Sequence, residues 1–368
     1  MQKMKIGIVG CGMIADIYIK NLQNVYENTQ VVALCDLDES LANRKAEQYG
    51  IKKVLSYPQM LADLEIELVL NLTIPTVHYE LSLQALNAGK HVYSEKPLAL
   101  NYKECKNLID TAKAKGVFLG CAPDTFLGST YQKAREIVDS GLIGEITSAY
   151  AFDVCHGHEN WHPSPAFFYD IGAGPMMDRG PYNLSTLVSL IGPVKSVAAM
   201  TGKAYNERVI GCGDNKGQTV PVKVPTHVNS LLQFKSGALG VLSASFDVYG
   251  SDLPFTEING TKGSLKLPIP IDFGGDIYLK TKDDEDFKKV EVDGVYTVNS
   301  RGLGLSDMVR AILQGGDYRC NGEFVAHCIE IMEAMDCSME KQSFVHLDST
   351  CKSPNPMQKG LAFGQVGE

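Results

Sequence analysis

The sequence lacks three features that mark other classes of protein: a long apolar run, closely paired cysteines and an excess of positive charge. It contains no run of about 20 apolar residues, so no membrane span is expected. The ten cysteines are scattered and none has CxxC spacing, which disfavours zinc ribbons and redox dithiols. The net charge of −9 disfavours non-specific binding to nucleic acid or to an anionic membrane.

The beginning of the sequence also lacks the pattern of a secretory signal. Residues 1–5 lead directly into a predicted strand, without an apolar segment and a small-residue cleavage site. We therefore expect a cytoplasmic protein. The length of 368 residues, with 44% hydrophobic and 21% charged residues, predicts a soluble chain of two domains.

Residues 1–122 alternate short apolar runs with segments of helical periodicity. Strands are predicted over 5–9, 31–35, 68–72, 91–93 and 117–121. This alternation predicts an α/β fold, with an N-terminal Rossmann domain built on a doubly wound parallel sheet.

Residues 123–348 show a different pattern, in which strands follow one another with few helices. Strands are predicted over 146–155, 194–201, 228–234, 238–245, 255–259, 264–267 and 277–280, and helices over 130–140, 180–191, 306–314 and 322–339. This predicts a C-terminal α+β domain with a large, mostly antiparallel open sheet. Residues 202–223 are expected to form a loop. Residues 349–368, rich in proline and glycine, are expected to form a poorly ordered tail.

A glycine-rich turn links the first predicted strand to the first helix. Gly10 permits the tight turn, Gly12 lets the backbone approach a pyrophosphate, and Ala15 keeps the helix close to the sheet. The unpaired N–H groups at the helix start, including those of Met13 and Ile14, can bind phosphate oxygens. The pattern predicts a dinucleotide site, with a purely structural glycine turn as the alternative.

An acidic residue ends the second predicted strand. Asp36 lies 21 residues after Ala15, where a carboxylate can accept both ribose hydroxyls of NAD and would repel the 2′-phosphate of NADP. Leu37 and Asp38 follow, so no arginine stands there to bind that phosphate. NAD is therefore favoured over NADP.

Two further segments should lie at the edge of the sheet where ligands of such folds bind. Thr73, Pro75 and His78 follow the 68–72 strand, and His78 is either a contact of the nicotinamide ribose or a capping or surface histidine. Glu95 and Lys96 follow the 91–93 strand. Lys96 is either a general acid/base oriented by Glu95 or a lysine in a surface salt bridge.

Asp178 and Tyr182 are spaced four residues apart after a glycine-rich turn, which places both on one face of a helix. A tyrosine beside a lysine and a carboxylate can relay a proton to or from a substrate hydroxyl. The alternative is a capping aspartate and a packed tyrosine.

The segment 156–162, with the sequence HGHENWH, is dense in polar rings. Strand spacing would put His156 and His158 on one side, as in a metal site, but no other ligand set is evident and no metal is expected. A sugar-binding rim with Trp161 as a stacking platform and a structural loop are the other interpretations.

With these residues assembled, the chain resembles the Gfo/Idh/MocA oxidoreductase family, which includes glucose–fructose oxidoreductase and inositol dehydrogenases. The resemblance runs from GIVGCGMIA through TIPTVH, AGKHVYSEKPLA and SGLIGEI to GAGPMMDRGPY. It implies a Rossmann domain followed by an α/β domain whose open sheet makes dimer or tetramer contacts. The implied divisions are 1–122 for dinucleotide binding, 123–348 for substrate binding and oligomerisation, and 349–368 as a tail.

The resemblance also implies roles for particular residues. Lys96 and Asp178 match the expected catalytic lysine and carboxylate, and Tyr182 stands where many members have histidine. His162 and Thr125 stand where the family often has arginine, which favours neutral polyols over acidic sugars. The residues expected to contact substrate are Asp124, His158, Trp161, His162, Asp178 and Tyr182.

The sequence therefore predicts an NAD-dependent oxidoreductase that acts on a hydroxyl-bearing carbon of a sugar, cyclitol or related polyol. Lys96 and Tyr182 would form its proton relay. Two alternatives remain open at this stage: a glycosidase that retains NAD and acts by transient oxidation and elimination, and a non-catalytic regulator that senses a dinucleotide.

Overall fold

The computed structural model describes residues 2–367, which form two compact units. The first contains residues 2–132, 293–329 and 354–367, and the second contains Lys133–Val292 and Glu330–Ser353. Both units are therefore assembled from separate segments, whereas the sequence suggested linear divisions at 122 and 348.

A six-stranded parallel sheet forms the centre of the first unit, in the order β3-β2-β1-β4-β5-β6. Its strands are β1 Met4–Val9, β2 Thr29–Cys35, β3 Lys53–Val54, β4 Leu68–Asn71, β5 His91–Ser94 and β6 Leu119–Cys121. The strand order reverses between β1 and β4, which is the position where ligands of doubly wound sheets bind. The predicted Rossmann sheet is confirmed.

The helices are numbered along the whole chain. They are α1 Met13–Asn24, α2 Glu39–Tyr49, α3 Tyr57–Ala62, α4 Pro75–Asn87, α5 Tyr102–Lys115, α6 Ser129–Asp139, α7 Pro175–Ile191, α8 Leu303–Gln314 and α9 Gly322–Lys341. Within residues 2–367, no helix has the length and apolar character that crossing a bilayer requires.

A nine-stranded sheet forms the second unit, in the order β16-β15-β14-β13-β7-β12-β11-β8-β17. Its strands are β7 Ile146–Val154, β8 Val194–Gly202, β11 His227–Phe234, β12 Leu239–Ser245, β13 Thr256–Gly260, β14 Gly263–Leu267, β15 Ile277–Thr281, β16 Lys288–Val290 and β17 Val345–His346. Only the pair β7–β12 is parallel, so the predicted mostly antiparallel sheet is confirmed.

The two faces of this sheet differ. Along β11, Val228, Ser230 and Leu232 are buried and alternate with exposed residues such as Leu231. The buried face packs against α7, which contacts β7, β11 and β12. This packing places the beginning of α7, with Asp178 and Tyr182, beside the end of β7.

The prediction of a loop over residues 202–223 is wrong in part. This segment contains a two-stranded antiparallel ribbon, β9 Glu207–Val209 and β10 Thr219–Pro221. Strands of three residues carry too little periodic signal to be recognised, and their stability comes from distant contacts described below.

Residues 349–367 contain no helix or strand, but several of them are held by hydrogen bonds within the first unit. Arg319 donates from Nε to Asn355 O and from Nη2 to Pro356 O, both at 2.9 Å. The amide of Gly364 donates to the Tyr296 hydroxyl at 3.1 Å. Residues 354–367 are therefore part of the compact first unit, and residues 349–353 are part of the second, rather than a separate tail.

Candidate active site

The glycine-rich turn of the first unit leaves open space over its backbone, where a ligand could approach the main chain closely. Gly10 has a φ of +96°, and a Cβ there would lie 2.6 Å from the Leu72 carbonyl group, so only glycine fits without strain. A Cβ at Gly12 would meet nothing within 4 Å. Gly12 is the N-cap of α1, whose first residues Met13 and Ile14 direct their backbone amides to the same end.

Asp36 follows β2 and is oriented by backbone amides. Its Oδ2 accepts a hydrogen bond from the Cys11 amide at 2.6 Å, and its Oδ1 accepts one from the Asp38 amide at 2.9 Å. Asp38 itself caps α2, accepting from the Ser40 amide at 3.0 Å. The glycine-rich turn and the predicted ribose carboxylate are therefore directly linked.

The segment after β4 is held by a buried asparagine that was not singled out from the sequence. Asn71 Oδ1 accepts from the Thr73 hydroxyl at 2.6 Å, and its Nδ2 donates to the His78 carbonyl at 3.2 Å. Pro75 is the first residue of α4. An asparagine at the end of a strand has no distinctive spacing, so only the folded contacts reveal this role.

His78 is buried between two parts of the sheet edge. Its Nδ1 lies 2.7 Å from Pro97 O and its Nε2 lies 2.9 Å from Thr73 O. Burial lowers the pKa of His78, whereas its hydrogen bonds with the Pro97 and Thr73 carbonyl groups act in the opposite direction. These contacts join the 73–78 segment to the residue after Lys96, and the ribose contact stays a prediction.

Glu95 orients the start of the segment that contains Lys96. Its Oε1 accepts from the Tyr18 hydroxyl of α1 at 2.8 Å, and its Oε2 accepts from the Lys96 amide at 2.9 Å. Burial, followed by the charge of Glu95, raises the pKa of Tyr18 well above its usual value, so the phenol keeps the proton that it donates. Lys96 is half-buried. Its backbone is thus positioned by two buried side chains.

Asp124 has backbone partners within the first unit. Its Oδ2 accepts from the amides of Gly302 and Gly304, each at 3.0 Å, at the beginning of α8. Burial raises the pKa of Asp124 to about 6. The predicted contact of this carboxyl with substrate stays a prediction, because these bonds give it a structural role that needs no ligand.

The second unit brings Asp178 together with His158. Asp178 lies in the first turn of α7, one turn before the buried Tyr182. His158 Nε2 lies 3.3 Å from Asp178 Oδ2, and Arg179 Nε lies 3.2 Å from the same oxygen. Sequence reasoning named both His158 and Asp178 but did not foresee that they touch.

A ring cluster encloses His158. Its ring centroid lies 4.1 Å from that of Phe168, 4.6 Å from Phe246 and 5.2 Å from Trp161. Trp161 is 60% exposed and lies at the rim of this cluster. The His158 ring is therefore surrounded by aromatic rings, and in the described part of the chain its polar contact is the one between Nε2 and Asp178.

His162 belongs to the same helical turn, because its amide donates to His158 O at 2.9 Å. The ring is buried, and its Nδ1 accepts from the Ser164 amide at 3.1 Å, so Nε2 carries the proton of the neutral ring. Burial, together with the proximity of His158, lowers the pKa of His162.

The expectation that His156 and His158 share one side is wrong. Both follow the end of β7, and Gly157 between them has a φ of +72°, so they do not continue the strand. His156 stacks on Tyr249, whereas His158 meets Asp178. Among residues 2–367, no group of three or more histidine, cysteine, aspartate or glutamate side chains is arranged to hold a metal ion.

A buried ion-pair network below this segment was missed from the sequence. Arg208 on β9 donates from Nη1 to Glu159 Oε1 at 2.9 Å and from Nη2 to Phe246 O at 2.9 Å, and it also pairs with Asp247. Tyr169 donates to Glu159. No local pattern could have shown this network, because Glu159 and Arg208 are 49 residues apart.

Comparison with known proteins identifies the family. The model of the oxidoreductase family with an NAD-binding Rossmann fold matches residues 4–122, and that of the GFO/IDH/MocA C-terminal domain matches residues 131–266. An uncharacterized oxidoreductase of Schizosaccharomyces pombe is 32% identical over 285 residues, which are 73% of this chain and 72% of that protein. The chain belongs to the GFO/IDH/MocA oxidoreductase family.

Two other proteins that are similar to this chain have named activities. Myo-inositol 2-dehydrogenase of Thermotoga maritima is 28% identical over 71% of this chain and 74% of its own length. D-glucoside 3-dehydrogenase of Escherichia coli is 30% identical over 66% of this chain and 70% of its own length. The chain described here is thus an oxidoreductase of a family that has an NAD-binding Rossmann fold and contains dehydrogenases.

Solved structures share the fold. Levoglucosan dehydrogenase in complex with NADH and levoglucosan has a TM-score of 0.80 at 22% identity, covering 95% of this chain and 100% of that chain. An NAD-binding oxidoreductase from Klebsiella pneumoniae has a TM-score of 0.80 at 24% identity, covering 94% and 98%.

The residues of this GFO/IDH/MocA member fit a bound dinucleotide. The open space over Gly12 admits a pyrophosphate, the amides at the start of α1 face it, and Asp36 lies beside the turn. Bulky or acidic side chains directly over the turn would have argued against this fit, and none is found at Gly12.

Proposed function

We propose that this enzyme oxidises a hydroxyl-bearing carbon of a neutral sugar, cyclitol or related polyol. The observation that carries the proposal is the placement of Asp178 and Tyr182 one turn apart on α7, with His158 in contact with Asp178. The dehydrogenase names of the relatives, with inositol and glucoside as their substrates, support the same class of substrate.

The charges around Asp178 support a neutral substrate. Arg179 is the cation beside Asp178, and it is balanced by Asp178 and by the buried Asp153 of β7. Asp153 also accepts from Asn183 Nδ2 at 3.2 Å. A substrate carboxylate would have to compete with these carboxylates for the guanidinium, whereas a neutral hydroxyl would not.

The proposed chemistry divides between side chains and cofactor. NAD, when bound, supplies the acceptor for the hydride that leaves the carbinol carbon. A neutral Lys96 accepts the phenol proton of Tyr182 as the Tyr182 oxygen accepts the proton of the substrate hydroxyl, while Asp178 orients the substrate or the lysine. The alcohol thus becomes a carbonyl, and the proton is released through the lysine.

We propose NAD rather than NADP as the cofactor. Asp36 presents a carboxylate beside the glycine-rich turn, where the adenosine ribose is proposed to bind, and Asp38 adds a second negative charge two residues later. Both would repel a 2′-phosphate.

We also propose a homodimer or homotetramer formed through the open sheet, in the cytoplasm. Met200, Leu231 and Leu239 are each more than half exposed on neighbouring strands of one sheet face. Exposed apolar residues grouped in this way mark association surfaces. Buried cysteines such as Cys11 and Cys121 occur as thiols, which agrees with a reducing compartment, and the net charge of −9 argues against a nucleic-acid partner.

The test is an absorbance screen for NADH, with cyclitols, aldoses, anhydrosugars and simple glycosides offered together with NAD. Lys96→Met should lower kcat by about 10²- to 10⁴-fold, the usual contribution of general acid–base catalysis, while the Kd for NAD stays nearly unchanged by calorimetry. Lys103→Met, at an exposed lysine of α5, is the matched control.

Normal turnover by Lys96→Met would refute the proposed relay. Silence across the panel, with NAD found tightly bound to the purified protein, would instead favour the retained-cofactor glycosidase or the dinucleotide sensor.

A further inference from the structure

A second aromatic cluster lies in the second unit, next to the ring cluster around His158. Tyr249 stacks on His156 with a centroid distance of 3.6 Å and an interplanar angle of 14°. Tyr249 is 84% exposed, and Tyr205, whose ring stands edge-on to His156 at 6.3 Å, is 44% exposed. Core packing does not explain these rings, because they present large faces to solvent.

Contacts with the buried Arg208 and with the end of β7 hold this cluster in place. The Arg208 guanidinium lies 4.6 Å from the Tyr205 ring centroid, and Arg208 is itself held by Glu159 and the Phe246 carbonyl. The segment leading to Tyr249 is tied to the end of β7, because the Val248 amide donates to Cys155 O at 3.0 Å. The aromatic surface is therefore preorganised, which lowers the entropic cost of binding a ligand.

The cluster adjoins the proposed substrate site. His156 stacks on Tyr249, and His158, two residues later, contacts Asp178. Two peptide units span at most about 7 Å, so the Cα atoms of His156 and His158, each of which carries one cluster, lie within that distance of each other. A Cβ at Gly157, the residue between them, would clash with Glu159 Oε2 and the Tyr169 hydroxyl, so the turn between the two histidines requires glycine.

We propose that His156, Tyr205 and Tyr249 form an outer subsite for a second pyranose ring. The C–H face of a pyranose packs against an exposed aromatic ring, and its hydroxyls can bond with the phenol edges. The nearby charges of Arg208, Glu159 and Asp247 are paired with one another, which suits a neutral ligand. The proposal rests on the proposed oxidation of sugars and narrows the substrate class to glycosides with two sugar rings. No bond is made or broken at this subsite.

The test compares one-ring and two-ring substrates in the same enzyme. Methyl glucosides are measured against maltose and cellobiose, by kcat/KM with NAD. Tyr249→Ala should lower the disaccharide to methyl glucoside ratio by about 3- to 10-fold, the range expected for losing one aromatic stacking contact. Tyr249→Trp, with a larger ring face, should keep or raise the ratio. Phe363→Ala, which removes an exposed ring that leans on Tyr296 in the first unit, is the matched control.

A binding readout separates this proposal from the proposed function. Trp161 is the single tryptophan of the chain and lies at the rim of the neighbouring ring cluster, so its fluorescence can report sugar binding without turnover. If no sugar is oxidised but Tyr249→Ala still weakens disaccharide binding selectively, the proposed oxidation is refuted and the proposed subsite is supported. Equal effects on one-ring and two-ring ligands, or no effect on either, would overturn the subsite, as would failure of both disaccharides to bind.

Discussion

The proposed preference for NAD over NADP rests on Asp36. Asp36→Asn keeps an oxygen that can accept from the Cys11 amide but removes the negative charge beside the ribose position. Since hydrogen bonds to charged groups contribute about 1.5–3 kcal/mol, the ratio of kcat/KM for NAD to that for NADP should fall about 10- to 100-fold. The measurement is steady-state kinetics with both cofactors and one saturating substrate.

The control for this prediction removes a neighbouring charge without touching the ribose position. Asp38→Asn retains an N-cap side chain for α2 and should change the cofactor ratio much less. If both variants shift the ratio equally, long-range repulsion rather than a ribose contact selects the cofactor.

Asp124 is a buried carboxyl whose ionisation should lower the free energy of unfolding as the pH rises, the opposite of the usual effect of a carboxyl. Because burial raises its pKa to about 6, the folded protein binds more protons than the unfolded chain between pH ~4 and ~6. The free energy of unfolding should therefore fall as the pH rises through this window. Asp124→Asn, whose amide oxygen can still accept from Gly302 and Gly304, should remove a difference of about 2–3 kcal/mol across it.

The measurement is denaturant unfolding at closely spaced pH values, with the difference between wild type and variant plotted against pH. Asp110→Asn, at an exposed carboxyl of α5, is the control and should leave the wild-type curve unchanged. A pH profile of Asp124→Asn that is parallel to wild type would show that Asp124 ionises normally in the folded protein.

At the residue scale, the sequence indicated candidate positions but not the contacts that they make. Asp36 could be proposed as a ribose contact because its spacing from the glycine-rich turn lies within one βαβ unit. Asp124 could not be interpreted, because its amide partners are 178 and 180 residues later in the chain. The His158–Asp178 contact likewise joins the residues after β7 to α7, across 20 residues whose conformation has no periodic signal.

At the scale of elements, most strands of both sheets were predictable because their apolar residues form recognisable runs, whereas the short edge strands β3, β16 and β17, of two or three residues each, were missed. The ribbon β9–β10 was also missed, since each of its strands has three residues. Its stability comes from Arg208, which is buried with Glu159 and Asp247. The packing of Tyr169, Ile210, Val220, Val222 and Phe246 adds an apolar cluster. Both are long-range interactions that a local pattern does not contain.

Arg208 should therefore be the most sensitive position of this ribbon. Arg208→Met leaves Glu159 and Asp247 buried without their cation, a change that typically costs about 3–5 kcal/mol. We expect a clearly lower thermal unfolding midpoint and faster proteolytic cleavage within residues 203–224. Lys106→Met, which breaks the exposed pair with Asp110, is the control and should be close to wild type. Equal behaviour of the two variants would mean that the buried network does not hold the ribbon.

At the scale of the whole molecule, the sequence predicted the architecture of both domains but not which segments of the chain belong to each of them. Residues 293–329 and 354–367 belong to the first unit, although they follow all of the strands from β7 to β16. Their membership depends on hydrogen bonds such as those from Asn21 Nδ2 to the carbonyls of Asn299 and Arg301. Segments that return to an earlier domain keep the same local composition, so linear boundaries drawn from composition cannot show them.

The exposed face of the nine-stranded sheet leads to a prediction about assembly. Leu231 is 54% exposed on β11, opposite Val241 of β12 and Ala198 of β8. If copies of the chain associate through this face, Leu231→Glu buries a carboxylate in each interface without a partner and should shift the protein towards monomer. Analytical ultracentrifugation at micromolar concentration measures the shift.

The control for assembly is Leu64→Glu, because Leu64 is 94% exposed and belongs to the first unit rather than to the nine-stranded sheet. The same change of charge there should leave the sedimentation coefficient as in wild type. Circular dichroism must show that both variants keep their secondary structure, since Leu231 lies in a strand. A wild-type protein that sediments as a monomer throughout would refute assembly through this face, and an oligomer unaffected by Leu231→Glu would move the interface to another surface.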